Sequence, residues 1–130
     1  MAISTPGGTT NLGLDPKVAG LLCYVPCCVG LVFSVVAAIV EKQSRFVRFH
    51  AFQSLLVHAA AIVLGLGVNF AQIGLGLAGL GGFGLGLLLS LVGMVVGVAF
   101  LGLTIFLMIK AYGGEETELP VVGPMARQWV

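Results

Sequence analysis

FHAFQSLLVHAAAIVLGLGVNFAQIGLGLAGLGGFGLGLLLSLVGMVVGVAFLGLTIFLMI, residues 49–109, runs for 61 positions without an Asp, Glu, Lys or Arg. A bilayer hydrocarbon core of ~30 Å is crossed by about 20 apolar helical residues. As one helix the run would be ~92 Å long at ~1.5 Å per residue, so it must fold back. Nine of the 22 residues from Gly65 to Gly86 are glycine, densest at Gly79–Gly84. Glycine weakens helix and supplies the positive φ of tight turns. The expected arrangement is a span over 49–74 entered from about Arg45, a Gly-rich turn over 75–84, and a span over 85–110.

Upstream, the charged loop 41–48 carries Glu41, Lys42, Arg45 and Arg48. Before it, Val18 to Val40 is a further 23 residues without a formal charge, which reads as one span over 17–40, bent at Pro26. Asp15 is suited to cap its start, with Pro16 at the first helical position. Residues 1–16 form a Gly-, Thr- and Pro-rich arm. After Ala111, Gly113-Gly114 stop the last helix, and Pro120 and Pro124 predict an irregular tail over 111–130, with Trp129 resting at the membrane interface. The expected fold is all-α: a single membrane domain of three transmembrane helices.

Composition agrees with that reading. Charged residues number 11 of 130, or 8%, against the ~25% of ordinary soluble domains. That is too little polar surface to cover a soluble core, which excludes a soluble enzyme, a nucleic-acid binder and a disordered chain. With three spans, Lys42, Arg45, Arg48, Lys110 and Arg127 share a side against Lys17 alone. The positive-inside rule then sets the N-terminus outside and the loop and tail in the cytoplasm, as a multi-pass protein of the inner membrane.

Candidate functional residues fall on the second span. Ser44 can cap it. Arg45 and Arg48, three apart, would meet lipid headgroups, with His50 and Gln53 in the same interfacial set; the alternative is a docking surface for a partner protein. His50, Ser54, His58, Ala61, Gly65, Asn69 and Gln72 share an arc of about 100°. Polar side chains in a span face protein rather than lipid, so Ser54, His58, Asn69 and Gln72 are read as helix-packing residues, joined by Gly93 and Gly97 of the third span. Cys23, Cys27 and Cys28 are an odd count without a CxxC, which speaks for apolar filling and against a disulfide or zinc framework. His50 and His58 stand ~12 Å apart along a helix, so no metal site is expected. No span carries a carboxylate, and no Walker, GxSxG or HExxH motif occurs. No catalytic residue, cofactor or enzymatic activity is therefore expected.

Val18-Ala19-Gly20-Leu21-Leu22-Cys23-Tyr24, Glu41-Lys42 and RFVRFHAFQS (45–54), with KAYGGE (110–115) and LPVVG (119–123) in the tail, carry a resemblance over roughly residues 14–126. The chain resembles a family of small bacterial membrane proteins that is related to the Tic-type translocon subunit of the chloroplast inner envelope and includes magnetosome-membrane proteins. The resemblance implies a helical bundle without enzymatic activity. The expected function is a structural or accessory subunit that packs against other membrane subunits or copies of itself, in contact with lipid and not with nucleic acid. The alternative is a transport or protein-translocation channel subunit of the Tic type.

Overall fold

A computed structural model describes residues 10–130. They form α1 (Pro16–Cys23), α2 (Cys28–Val40), α3 (Arg45–Leu77), α4 (Phe83–Tyr112) and α5 (Val122–Arg127), and the described residues contain no strand. The fold is all-α. Of the loose N-terminal arm expected over 1–16, residues 1–9 lie outside the described residues.

Two helices, α3 and α4, are long and apolar enough to cross a membrane, and α2 is a shorter apolar helix. The Ser44 side chain caps α3, accepting from Val47 N at 3.3 Å. The glycines of Gly65–Gly76 do not end α3. Apart from water, backbone groups must bond one another, and that requirement outweighs the weak helix propensity of glycine. Only Gly79 acts as the turn residue, with φ 71°. Leu80 N returns to Leu75 O and Gly79 N to Gly76 O, a Schellman closure that shortens the expected 75–84 turn to 78–82.

The single helix expected over 17–40 does not form. Asp15 and Pro16 start α1 as the sequence indicates, Asp15 accepting from Lys17 N at 2.8 Å. The helix stops at Cys23, and after Tyr24–Cys27 the chain doubles back as α2. Pro26 withholds a backbone donor. Gly30 lets α2 press onto the turn, since a Cβ there would overlap the Val25 carbonyl oxygen and stand 2.9 Å from that of Cys23. The two ends of this helical hairpin meet: Asn11 N donates to Glu41 Oε2 at 2.8 Å, and Asn11 Oδ1 accepts from Lys42 N at 3.0 Å. Residues 10–14 therefore lie beside the 41–48 loop, where a straight helix would have set them a full span apart.

Packing is confined to one end of the molecule. Buried residues of α3 run from Phe46 to His58 and those of α4 from Thr104 to Ala111, with none between 59 and 103. Gly20 brings α1 between them; its missing Cβ would lie 3.0 Å from the Phe46 ring and 3.4 Å from Ala111 Cβ. Ala19, Cys23, Tyr24, Ala37, Val47 and Leu107 complete the apolar core. The tail is irregular over 113–121, as expected, and then forms the short α5, which packs back on α3. Arg127 of α5 lies over the Phe49 ring at 4.8 Å, and Trp129 packs on Phe52 at 5.7 Å.

Candidate functional site

Polar groups gather where α1 ends. A helix leaves its last carbonyls without intrahelical partners. That of Cys23 accepts from Ser34 Oγ of α2 at 3.0 Å and from Ser54 Oγ of α3. Tyr24, the next residue, is fully buried. Its hydroxyl accepts from Gln53 Nε2 at 3.0 Å, so its own proton goes to His50 Nδ1 at 3.1 Å. His50 is then the tautomer with hydrogen on Nε2, which is buried without a hydrogen-bond partner.

Gln53 uses its remaining capacity on the tail. Nε2 also donates to Thr117 O at 2.9 Å, and Oε1 accepts from Leu119 N at 3.2 Å. One side chain thus ties the α1–α2 turn, α3 and the tail together. His58 is the opposite tautomer. Ser54 gives its proton to Cys23, so His58 Nδ1 must donate, to Ser54 O at 2.9 Å or Ser54 Oγ at 3.1 Å. Its ring meets the Phe100 edge at 5.5 Å, joining α3 to α4. This network ties α1, α2, α3 and the tail together as a brace, with His50 Nε2 and His58 Nε2 left buried without a partner. Among the described residues, no group of three or more His, Cys, Asp or Glu is placed to hold a metal ion.

A second polar cluster secures the entry to α3. Glu41 is fully buried, with Oε1 accepting from Gln43 N and Ser44 N at 2.9 Å each and Oε2 from Asn11 N. An anion is favoured there by the unpaired N–H groups and dipole of the helix start. In the tail, Arg127 pairs with Glu118 and, at 3.1 Å, with Glu116, while Lys110 pairs with Glu115 at 3.0 Å. The Glu118 hydrogen bond, with Glu116 nearby, raises the Arg127 pKa above its ordinary value.

The residues singled out in the sequence divide into three groups. Arg45 is exposed, and Arg48 reaches the Trp129 carbonyl at 2.9 Å. His50 and Gln53, expected beside them at the interface, are instead fully buried. They lie on the face of α3 that α1 and the tail cover. Ser54 and His58 pack between helices of the same chain. Asn69, Gln72, Gly93 and Gly97 line an open groove of about 490 Å³ between the outer halves of α3 and α4, together with Ser90. Cys23 is buried, whereas Cys27 and Cys28 are exposed. Tyr24, Ser34, Glu41 and Thr117 were not legible as site residues; the one signal was a tyrosine two positions before a helix-breaking proline.

A brace of buried polar contacts at the base of two long apolar helices defines a small all-α membrane protein. The chain belongs to the MamF/MmsF family, the magnetosome magnetite crystal formation protein family, whose profile it matches over residues 15–126. It is 37% identical over 122 residues to a UPF0132 membrane protein of Methanocaldococcus jannaschii, covering 94% of each chain. A UPF0132 membrane protein of Archaeoglobus fulgidus is 34% identical over 118 residues, 90% of this chain and 97% of that one. A second Methanocaldococcus jannaschii relative is 31% identical over 119 residues, 91% of this chain and 72% of that one. No solved structure matches the chain.

Proposed function

We propose that the chain is a non-enzymatic subunit of an inner-membrane assembly, with its tail in the cytoplasm, and that the outer halves of α3 and α4 pack against a second copy or another membrane subunit. The observation that carries this reading is the groove. Asn69, Gln72 and Ser90 lie in the apolar zone among Gly65, Gly93 and Gly97. Asn69 bonds back to Gly65 O at 2.7 Å and Ser90 to Gly86 O at 2.9 Å. Polar side chains at membrane depth favour protein neighbours, and small residues let a helix approach closely.

The Tic-type alternative asks for a continuous polar wall. On α3 the polar residues divide into the sealed cluster around His50–His58 and the groove residues Asn69 and Gln72, with Ala59-Ala60-Ala61-Ile62-Val63-Leu64 directly after His58. That division favours packing over conduction. The family name suggests a mineral partner, but the tail carboxylates Glu115, Glu116 and Glu118 are already paired with Lys110 and Arg127.

Crosslinking in native membranes and native mass spectrometry test it. The wild-type chain should appear in a defined assembly. Gly93→Leu with Gly97→Leu, which fill the groove, should dissociate it while insertion persists. A wild-type chain that is always monomeric and partner-free would refute the proposal.

A further inference from the structure

The meeting of the two ends of the α1–α2 hairpin determines how the chain can enter a bilayer. Asn11 is hydrogen-bonded to Glu41, Lys42 and Gln43, so whichever side of the membrane holds the 41–48 loop also holds residues 10–14. Between those points the hairpin is too short to cross and return. The 13 residues of α2 extend ~20 Å and the 8 of α1 ~12 Å, against a hydrocarbon core of ~30 Å. Its depth can be read from α3. The Cys23 carbonyl takes the Ser54 hydroxyl, nine residues or ~14 Å beyond Arg45.

We propose that α3 and α4 make the two crossings, that the α1–α2 hairpin dips about halfway into the bilayer and returns, and that residues 10–14, the 41–48 loop and the tail share the cytoplasmic side, where exposed Lys42 and Arg45 meet the anionic headgroups of that leaflet. This places residues 10–14 on the cytoplasmic side, not outside. It holds whether or not the chain has a protein partner.

Three further observations support it. Gly20 of α1 touches both the start of α3, at Phe46, and the end of α4, at Ala111, so Lys17 stands at the same end as Arg45, Arg48 and Lys110. Arg127 lies over Phe49 at that end, and Lys42 is in the loop. All 6 Lys and Arg then share one side, and the 78–82 turn opposite carries none, a stronger positive-inside bias than the five-to-one split of a three-span chain. Asp15, Glu41, Glu115, Glu116 and Glu118 lie on the same side, and Lys110 and Arg127 are paired with the tail carboxylates, so the cations offered to anionic lipid are the exposed Lys42 and Arg45 of the loop.

The hairpin is also built for partial immersion. Irregular backbone at membrane depth is tolerated where protein covers it. Ser34 and Ser54 satisfy the Cys23 carbonyl, and Tyr24 is turned wholly inward. The outward face of α2 offers Val29, Val32, Val36 and Ile39 to lipid.

The test uses full-length protein in intact cells, with Cys27 and Cys28 replaced by Ser, buried Cys23 kept, and one new cysteine at a time. A membrane-impermeant maleimide should label Leu80→Cys from outside. Leu14→Cys, Gln43→Cys and Val130→Cys should react only after permeabilisation. Labelling of Leu14→Cys from outside with Gln43→Cys shielded would restore the three-span chain and overturn the proposal, as would a shielded Leu80→Cys. Independently, the pair Asn11→Cys and Lys42→Cys should be joined within one chain by a short bismaleimide in native membranes; no intrachain link would likewise overturn it. In mixed phosphatidylglycerol and phosphatidylcholine nanodiscs, native mass spectrometry should find phosphatidylglycerol retained preferentially, and less so in Lys42→Gln with Arg45→Gln. Equal retention of both lipids would overturn the headgroup contact.

Discussion

Gly30 lies against the backbone carbonyl of Val25, so close that no side chain fits between them. This contact lets α2 fold onto the turn that follows α1. The neighbour is backbone rather than the end of a flexible side chain, so it cannot swing aside. It permits the tight hairpin that residues 17–40 make.

Gly30→Ala should therefore destabilise the protein by the ~1–3 kcal/mol typical of overpacking. Gly67, also helical, has open space at its Cβ position. Gly67→Ala should be neutral or gain ~0.5–1 kcal/mol from helix propensity. Thermal unfolding in detergent followed by circular dichroism compares the two. Equal midpoints would contradict the assigned contact.

Cys27 adopts φ 72° and ψ −160°, a region occupied almost only by glycine and costing other residues ~1–3 kcal/mol. Its side chain is exposed, so little packing is lost on removing it. Cys27→Gly should raise the unfolding midpoint by an amount equivalent to ~1 kcal/mol, after the added chain entropy of glycine is offset. Cys28→Ser, exposed and helical, should change little, and a Cys27→Gly protein less stable than wild type would count against the turn geometry.

Gln53→Leu removes the donor to Tyr24 and Thr117 and the acceptor for Leu119 N. Leaving buried partners unsatisfied costs ~1–3 kcal/mol. The tail should loosen first, seen as faster trypsin cleavage after Arg127. Tyr24→Phe, which keeps the ring and both tail contacts of Gln53, should show a smaller effect on cleavage.

Glu41→Ala strands the N–H groups of Asn11, Gln43 and Ser44 in a buried site. The loss should be on the order of 2–3 kcal/mol, since hydrogen bonds to a carboxylate are stronger than neutral ones. Hydrogen exchange resolved to residues 10–14 and 41–44 should quicken there and not in the outer half of α3. Unchanged protection at Asn11 would show that the carboxylate does not hold the segment.

Some elements were legible because their signals are local. Asp15-Pro16 and Ser44 start helices through their own side chains and nearest backbone, so three-residue patterns suffice. The positions of Asn69, Gln72, Gly93 and Gly97 on facing surfaces of α3 and α4 follow from helical periodicity. Periodicity failed at His50 and Gln53 because it gives the face of a helix and not what covers that face. Here α1 and the tail, residues 66 positions away at Leu119–Gln53, do the covering.

Membrane residence and the two long helices were determined by the sequence itself. The apolar residues that dominate the 61-residue uncharged run add to transfer into lipid largely independently of one another, and water-free surroundings then demand helix. The path of residues 17–40 was decided only by tertiary structure. An apolar segment of that length meets the bilayer's demands either as a straight span or as a hairpin folded back on itself. The choice between them rests on contacts between distant residues: Asn11 with Glu41, and the Cys23 carbonyl with Ser34 and Ser54. Those energies exist only once the three helices have come together, so no window of the sequence contains them.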